Sequence, residues 1–278
     1  MRKEPIARGF AVRDTILWVE DTGESDLPPV VCLHSLFLDG TMFDHLVEEA
    51  KGRFRLIRPD FRGQGSSAPD TGDIVTMDAC ADDMLALIEA MKLRSVNLVA
   101  ASMGGDVAVR MVARRPDLFR SLIMMGSSVR GEPSEQMERF RELLNHAAVT
   151  GFVGDYLDLL MSVMFGATTR AKPEAQPMLD HWRKKMELLP RSTWPAMFGV
   201  VERPSAVALL PDVTVPTLLF SGQEDIARPP EWGKEVADGV KDVKFIVLEG
   251  VGHSPLLEVP AIVIPQVLQF MADVRSAL

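Results

Sequence analysis

The feature that most constrains the fold is a serine placed where a buried strand turns into a helix. An apolar run at residues 96–100 is followed by Ser102 and the pair Gly104 and Gly105, and a helical pattern then continues to residue 112. A serine on such a tight turn projects its hydroxyl beyond the sheet edge, where a base from another loop can reach it. The pattern predicts a nucleophile, and a serine that only caps the helix is the alternative.

A nucleophilic serine needs a base, and the base needs an acid to orient it. His253 and Asp225 each lie in a loop directly after a strand-like apolar run. Loops at the carboxyl ends of parallel strands meet at one edge of the sheet, where ligands bind. The chain order Ser102, Asp225, His253 is also an order in which such triads occur. The sequence therefore predicts these three residues as a catalytic triad, with Glu224 as the rival acid.

Strand-like and helical segments alternate over most of the chain. Apolar runs predict strands at residues 15–20, 29–34, 54–59, 95–100, 121–125, 216–220 and 243–248. Residues 77–91 carry apolar side chains at three- and four-residue spacing, with Asp78, Asp82 and Asp83 on the other face, which predicts an amphipathic helix. This alternation predicts an α/β protein with a mostly parallel sheet covered on both faces.

The alternation stops between residues 129 and 210. This stretch has helical periodicity and no strand pattern, and it lies between two predicted strands. We therefore expect a core formed by residues 1–128 and 211–278, with residues 129–210 inserted as a helical cap over the carboxyl edge of the sheet. Methionines recur in the cap, and their flexible side chains suit an adaptable apolar pocket, although plain core packing is the alternative.

The composition limits the possible partners. The net charge of −9 and the lack of a basic stripe argue against binding to nucleic acid or to an anionic membrane. No run of about 18 apolar residues is present to span a bilayer, and residues 1–5 are not followed by the apolar segment of a secretory signal. Cys32 and Cys80 lack the spacing of metal ligands, and so do the histidines. We expect a cytoplasmic protein that uses no metal or cofactor; its oligomeric state is left open, with a homodimer as one option.

These motifs together resemble those of the α/β-hydrolase superfamily, over essentially the whole chain. Residues 33–40 resemble the family's oxyanion loop, residues 60–67 its D-x-R-G-x-G-x-S turn, and residues 215–225 and 252–260 its acid and histidine segments. The most similar subgroup is the 3-oxoadipate enol-lactonase-like hydrolases. The resemblance implies a mostly parallel eight-stranded sheet flanked by helices, with a helical cap. Ala100 and Ser35 stand where the family usually has glycine.

The resemblance also implies roles for individual residues. Ser102 would attack a carbonyl carbon, His253 would take its proton, and Asp225 would orient His253. The backbone N–H groups of Leu36 and Met103 would bind the developing oxyanion.

The predicted function is hydrolysis of a small to medium-sized, largely apolar carboxylic ester or lactone. A C–C bond hydrolase or a perhydrolase would use the same triad, and a small-molecule receptor of this fold is a further alternative. Phe37, Trp194 and Met197 are the predicted pocket residues, with packing in the core as the alternative for each. His34 is expected to brace the oxyanion loop by hydrogen bonds.

Overall fold

Eight strands form one mixed sheet in the computed structural model, which describes residues 6–276. The strands are β1 (Ile6–Val12), β2 (Thr15–Asp21), β3 (Pro29–Leu33), β4 (Arg55–Pro59), β5 (Val96–Ala101), β6 (Phe119–Met125), β7 (Thr217–Gly222) and β8 (Val243–Leu248). Their order across the sheet is β1-β2-β4-β3-β5-β6-β7-β8. The β1–β2 and β2–β4 pairs are antiparallel and the other pairs are parallel, which confirms the predicted sheet. Residues 1–5, considered above for a secretory signal, lie outside the described part.

Helices occupy most of the connections between the strands. They are α1 (Asp44–Ala50), α2 (Met77–Ala90), α3 (Met103–Arg114), α4 (Ser134–Thr150), α5 (Asp155–Met164), α6 (Ala167–Arg170), α7 (Gln176–Glu187), α8 (Trp194–Val201), α9 (Pro230–Gly239), α10 (Pro255–Glu258) and α11 (Pro260–Ser276). Short 3-10 turns cover Gly40–Phe43, Pro116–Leu118, Pro173–Ala175, Arg191–Thr193 and Val207–Asp212. Within residues 6–276, no helix has both the length and the apolar character needed to cross a membrane.

The inner strands β5 and β7 are the most completely buried because both of their faces are covered. Every residue of β5 and of β7 is buried, as expected for parallel strands between two layers of helices. Strand β1 lies at the edge of the sheet with most of its side chains in contact with solvent. Its sequence lacks a strong apolar run, which is why the sequence pattern did not predict it.

Helix α2 packs on the sheet through the apolar face that its periodicity predicts, with one correction. Asp83 was expected on the solvent face, but its side chain is fully buried. It accepts hydrogen bonds from Arg62 Nε (2.5 Å) and Arg62 Nη2 (2.7 Å). The polar face of α2 therefore includes a buried carboxylate whose partner comes from a distant turn. Cys80 in the same helix and Cys32 in β3 are buried, and burial raises the pKa of the Cys32 thiol to about 12.

The chain between β6 and β7 contains helices α4 to α8 and no strand in this fully described stretch. Its entry and exit run side by side, since Ala206 N–H donates to Val129 O (2.7 Å). Helix α8 presses against the core, where a Cβ on Gly199 would lie 1.7 Å from Val75 O. Val75 N–H in turn donates to Pro195 O (2.8 Å). The limits of the cap at residues 129 and 210 stay an interpretation of this helical segment.

The turn at residues 60–67 braces the carboxyl edge of the sheet. The Asp60 carboxylate accepts backbone N–H groups of Gly40 (2.9 Å) and Ser66 (2.8 Å). Arg62 from the same turn is paired with Asp83 and also with Asp70 (2.9 Å) and Asp14 (2.8 Å). The D-x-R-G-x-G-x-S motif thus has a structural role here. It clamps the turn at residues 60–67 to α2 and to the hairpin formed by β1 and β2.

We predict that Arg62→Met destabilises the fold by about 3 kcal/mol, as when one partner of a buried ion pair is removed. The loss lies at the lower end of the range because Arg13 still contacts Asp83. Chemical denaturation measures the free energy of unfolding. Arg115→Met is the control: Arg115 also pairs with two carboxylates, but at the surface, and its replacement should change stability little. Equal effects of the two substitutions would contradict the clamp.

Candidate active site

Ser102 lies at the end of β5, in a backbone conformation that few residues other than glycine adopt. Its φ is 50° and its ψ is −113°. The turn is held from both sides, because Ser102 N–H donates to Met125 O (2.9 Å) and Ser102 O accepts from Gly105 N–H (2.9 Å). A Cβ on Gly104 would lie 2.3 Å from Leu33 O, so the helix approaches the neighbouring strand as closely as glycine allows. The tight turn therefore holds Ser102 in a strained conformation and requires glycine at position 104.

Three side chains from three loops meet at this turn. His253 Nε2 lies 2.7 Å from Ser102 Oγ, and His253 Nδ1 lies 2.8 Å from Asp225 Oδ2. Asp225 Oδ1 accepts the backbone N–H groups of Ala227 (2.9 Å) and Arg228 (2.8 Å). Asp225 and His253 are both buried. The structure thus brings together the residues that the sequence predicted to act together.

The hydrogen bonds fix the tautomer of His253. An ionised carboxylate can only accept, so Nδ1 must carry the proton that faces Asp225. Nε2 is then unprotonated and accepts the Ser102 hydroxyl proton. This arrangement leaves the imidazole ready to act as a base toward Ser102.

Glu224, the rival acid, lies elsewhere. It accepts hydrogen bonds from Thr168 N–H (2.8 Å) and Thr168 Oγ1 (2.5 Å), and these bonds hold the pKa of the Glu224 carboxyl below its usual value. It therefore ties the loop before Asp225 to helix α6 and does not contact His253.

Glu258 is a site residue that sequence reasoning did not single out. Its carboxylate accepts the N–H groups of Gly252 (3.0 Å) and Ser254 (3.0 Å), the two neighbours of His253. It also accepts from Thr169 Oγ1 (2.6 Å). One carboxylate thus holds the histidine loop on both sides of the imidazole and joins it to the cap. Its position five residues after His253 was the available signal, within a segment recognised only as a whole.

The loop after β3 is braced by His34, as expected. His34 Nδ1 donates to Ser35 O (2.8 Å), and its Nε2 accepts from Phe61 N–H (3.0 Å). The backbone N–H groups of Leu36 and Met103 donate to no other group among residues 6–276. They have free hydrogen-bonding capacity, but their role toward an oxyanion stays a prediction.

A cavity of about 330 Å³ opens onto Ser102 and His253. Its walls are mostly apolar and come largely from the cap: Leu143, Phe152, Tyr156, Leu160, Met164 and Val200. Of the predicted pocket residues, Phe37 and Met197 line the cavity. Trp194 does not; it is buried one layer behind, where its Nε1 donates to Leu144 O (3.2 Å) and its ring lies 5.9 Å from that of Phe152. The prediction for Trp194 is therefore wrong: its indole N–H has a buried acceptor in α4, as buried indole N–H groups usually do, and its ring packs behind the wall.

The remaining histidines lie away from the cavity. His45, His146 and His181 are exposed, and His146 stacks on the Tyr156 ring at 4.2 Å. Across residues 6–276, no group of three or more His, Cys, Asp or Glu side chains is arranged to hold a metal ion.

We predict that Ser102→Gly makes the fold more stable than Ser102→Ala. Both variants lack the hydroxyl, but glycine adopts a φ of 50° without strain, whereas alanine keeps the strain. Relief of about 1–3 kcal/mol is expected, less the loss of about 0.5–1 kcal/mol for the greater flexibility of glycine in the unfolded chain. Denaturant titration of both variants measures the difference. An alanine variant as stable as the glycine variant would show that the turn is not strained.

Comparison with known proteins places this arrangement in a family. Residues 30–266 match the Alpha/beta hydrolase family. The chain is similar to the AB hydrolase superfamily protein YisY of Bacillus subtilis, with 27% identity over 256 residues that cover 87% of this chain and 90% of that protein. It is also similar to two solved structures. A thermophilic esterase from Thermogutta terrifontis has 29% identity and a TM-score of 0.84, covering 98% of this chain and 99% of that one. An enol-lactonase from Burkholderia xenovorans has 23% identity and a TM-score of 0.86, covering 95% and 100%. The chain belongs to the α/β-hydrolase family.

Proposed function

We propose that the protein is a serine hydrolase that cleaves a small to medium-sized, largely apolar carboxylic ester or lactone. The observation that carries this proposal is the continuous chain of hydrogen bonds from Ser102 Oγ through His253 to Asp225, which opens onto an apolar cavity. Nucleophile and base are within hydrogen-bond reach, and the base is oriented by a third group, as acyl transfer requires.

The reaction follows from this geometry in two halves. Ser102 Oγ attacks the carbonyl carbon while its proton moves to His253 Nε2. The carbonyl oxygen becomes an oxyanion, for which the unpaired N–H groups of Leu36 and Met103 are the proposed donors, each worth roughly 3 to 4 kcal/mol of transition-state stabilisation. The intermediate collapses, and the alkoxide leaves with the proton from Nε2. Water activated by His253 then releases the acyl group and restores Ser102.

Asp225 contributes through both of its oxygens. The N–H groups of Ala227 and Arg228 hold Oδ1, so Oδ2 stays directed at His253 Nδ1. The negative charge of Asp225 stabilises the imidazolium that forms when Ser102 attacks. We assign the acid role to Asp225 and a structural role to Glu224.

The substrate class is inferred from the cavity. Its mostly apolar walls would bury an acyl or alcohol group that is hydrocarbon along most of its length. Such a group has no carbonyl or hydroxyl there that needs a hydrogen-bond partner. The similarity at 29% identity to a solved esterase supports ester chemistry, whereas the likeness to an enol-lactonase at 23% supports the fold alone. A C–C bond hydrolase or a perhydrolase would need the same three residues. A panel of esters, enol-lactones, dienoate ketones and short acids with peroxide therefore accompanies the tests below.

We predict that Ser102→Ala abolishes hydrolysis of short p-nitrophenyl esters and that Asp225→Asn lowers kcat by about 10⁴-fold, because an amide favours the wrong tautomer of His253. Glu224→Gln is the matched control and should retain most of the activity, since its side chain binds Thr168. Steady-state kinetics and circular dichroism measure rate and folding. Turnover by Ser102→Ala equal to the wild-type rate would exclude the proposed nucleophile, and a more damaging Glu224→Gln would reverse the acid assignment.

We predict that Met197→Ala shifts the preferred acyl chain to a longer one. Met197 lines the cavity, and each methylene accommodated there is worth roughly 1–3 kcal/mol of discrimination. Trp194→Ala is the contrast: it should lower stability by about 3–5 kcal/mol, as loss of a buried aromatic ring does, and leave the ranking of chain lengths in place. The ranking of kcat/KM over an ester series measures the effect. An unchanged ranking for Met197→Ala would show that substrate does not reach this wall.

A further inference from the structure

A buried carboxylate joins the two ends of the cap to the loop that carries Asp225. Glu132 lies just before α4, Arg203 lies just after α8, and Arg228 follows Asp225 by three residues. Glu132 Oε1 accepts from Arg203 Nη1 (2.8 Å) and lies 2.6 Å from Arg228 Nη2. The three side chains are 3%, 2% and 11% exposed. We call these three residues the Glu132 cluster.

Arg228 connects the Glu132 cluster to the candidate active site. Its backbone N–H donates to Asp225 Oδ1 (2.8 Å), and its side-chain Nη1 donates to Ala227 O (2.6 Å). The N–H of Ala227 is the other donor to Asp225 Oδ1. Glu132 is therefore paired with a side chain from the turn that holds the carboxylate of Asp225.

We propose that Glu132 is a positioning residue for Ser102, His253 and Asp225, acting through the guanidinium of Arg228. The proposal rests on the serine hydrolase mechanism proposed above. It assigns two effects to Glu132: it fixes the turn that supplies the N–H donors to Asp225, and it neutralises a positive charge that would otherwise act on the imidazolium of His253.

The charges around this site show why Glu132 matters. Asp106 Oδ2 lies 3.4 Å from Arg203 Nε and its other oxygen accepts from Arg110 Nε (2.7 Å), so Asp106 is already shared between two arginines. Arg228 has no carboxylate at ion-pair distance other than Glu132 among the described residues. Burial lowers the pKa of the Arg228 guanidinium to about 10, so its charge is held at a cost that Glu132 offsets.

Other charged groups face the imidazole from the surrounding elements. Asp225 contacts His253 Nδ1, and Glu258 on α10 binds the N–H groups on either side of His253. Arg139 on α4 lines the cavity onto which His253 opens, and so do Glu132 and Arg228 themselves. None of these groups is changed by a substitution at Glu132, so a shift in the pH dependence reports on the pair of Glu132 with Arg228.

Glu132→Gln keeps the shape of the side chain and removes its charge. The positive charge of Arg228 then disfavours protonated His253, so the acid limb of the pH profile moves to lower pH. The pH-independent rate falls as well, since a misplacement of about 1 Å can cost on the order of 100-fold.

Arg228→Gln has the opposite electrostatic effect. It removes the positive charge near Asp225, so protonated His253 is favoured and the acid limb moves to higher pH. Glu132 keeps its bond to Arg203 in this variant, so its carboxylate still has a partner in the Glu132 cluster. A merely structural role would lower stability or rate in both variants without moving the acid limb in opposite directions.

The measurement is the rate at which Ser102 reacts with an alkyl fluorophosphonate, followed by the mass of the intact protein. The pH is varied from about 4.5 to about 9, a range that spans the titration of an ordinary histidine. Ser102 Oγ bonds to phosphorus, fluoride leaves, and the hydroxyl proton passes through His253 to water, so no knowledge of the natural substrate is needed. The double variant Glu132→Gln with Arg228→Gln should return the acid limb close to its wild-type position. Glu202→Gln is the matched control, because Glu202 also pairs with an arginine near the cap exit (Arg141, 2.9 Å) but at the surface; its profile should match that of the wild type.

Each outcome decides the proposal. Shifts in opposite directions in the two single variants support it, and an acid limb unchanged in both overturns it. If Glu132→Gln does not fold, as judged by circular dichroism, the Arg228→Gln variant decides alone. An acid limb at higher pH than in the wild type then supports the proposal, and an unchanged acid limb overturns it. Wild-type Ser102 that reacts no faster than a free serine would instead overturn the hydrolase mechanism, and the positioning role would fall with it.

Discussion

The site depends on one strained residue held at the carboxyl edge of the sheet. Ser102 keeps a φ of 50° because β5 is fixed between β3 and β6 and because Gly104 lets helix α3 pass against Leu33. A more relaxed turn would draw the serine hydroxyl back into the helix N-terminus, where it would act only as a cap. The parallel sheet supplies the rigidity that keeps this strain in place, and the strain aims Oγ at the loops after β7 and β8.

Those loops carry the proposed base and the proposed acid, and they are held by carboxylates that take no part in the proposed chemistry. Glu258 binds the N–H groups around His253, Glu224 binds Thr168, and Glu132 binds Arg228. Backbone N–H groups in a buried loop need acceptors, and a single carboxylate can satisfy several at once. Three of the acidic residues behind the net negative charge of the chain thus help to hold the site together.

The sequence was sufficient for the parts of this arrangement that local patterns encode. Ser102, Asp225 and His253 each follow a buried strand, and buried parallel strands leave a clear apolar signal. Asp83 was misplaced because helical periodicity assigns a face but does not show that Arg62 reaches that face from another turn. Trp194 was placed in the pocket because a rigid Trp-Pro turn followed by apolar residues is visible in sequence, whereas the acceptor of its N–H is not. Long-range polar pairs are set by tertiary packing, and one sequence carries no mark of which residues meet.

The cap is tied to the core at both of its sides by polar contacts that also reach the proposed triad. At one side Glu132 binds Arg203 at the cap exit and Arg228 of the Asp225 loop. At the other side Glu258 binds Thr169 and Glu224 binds Thr168, which join the cap to the loops of His253 and Asp225. The apolar cavity walls between these ties come largely from α4, α5 and α8. The apolar wall residues can therefore change with little effect on the position of His253 and Asp225, provided that these polar contacts remain. Two of these polar groups, Glu132 and Arg228, also line the cavity, so on this side a change in the polarity of the pocket and a change in the tie are the same change.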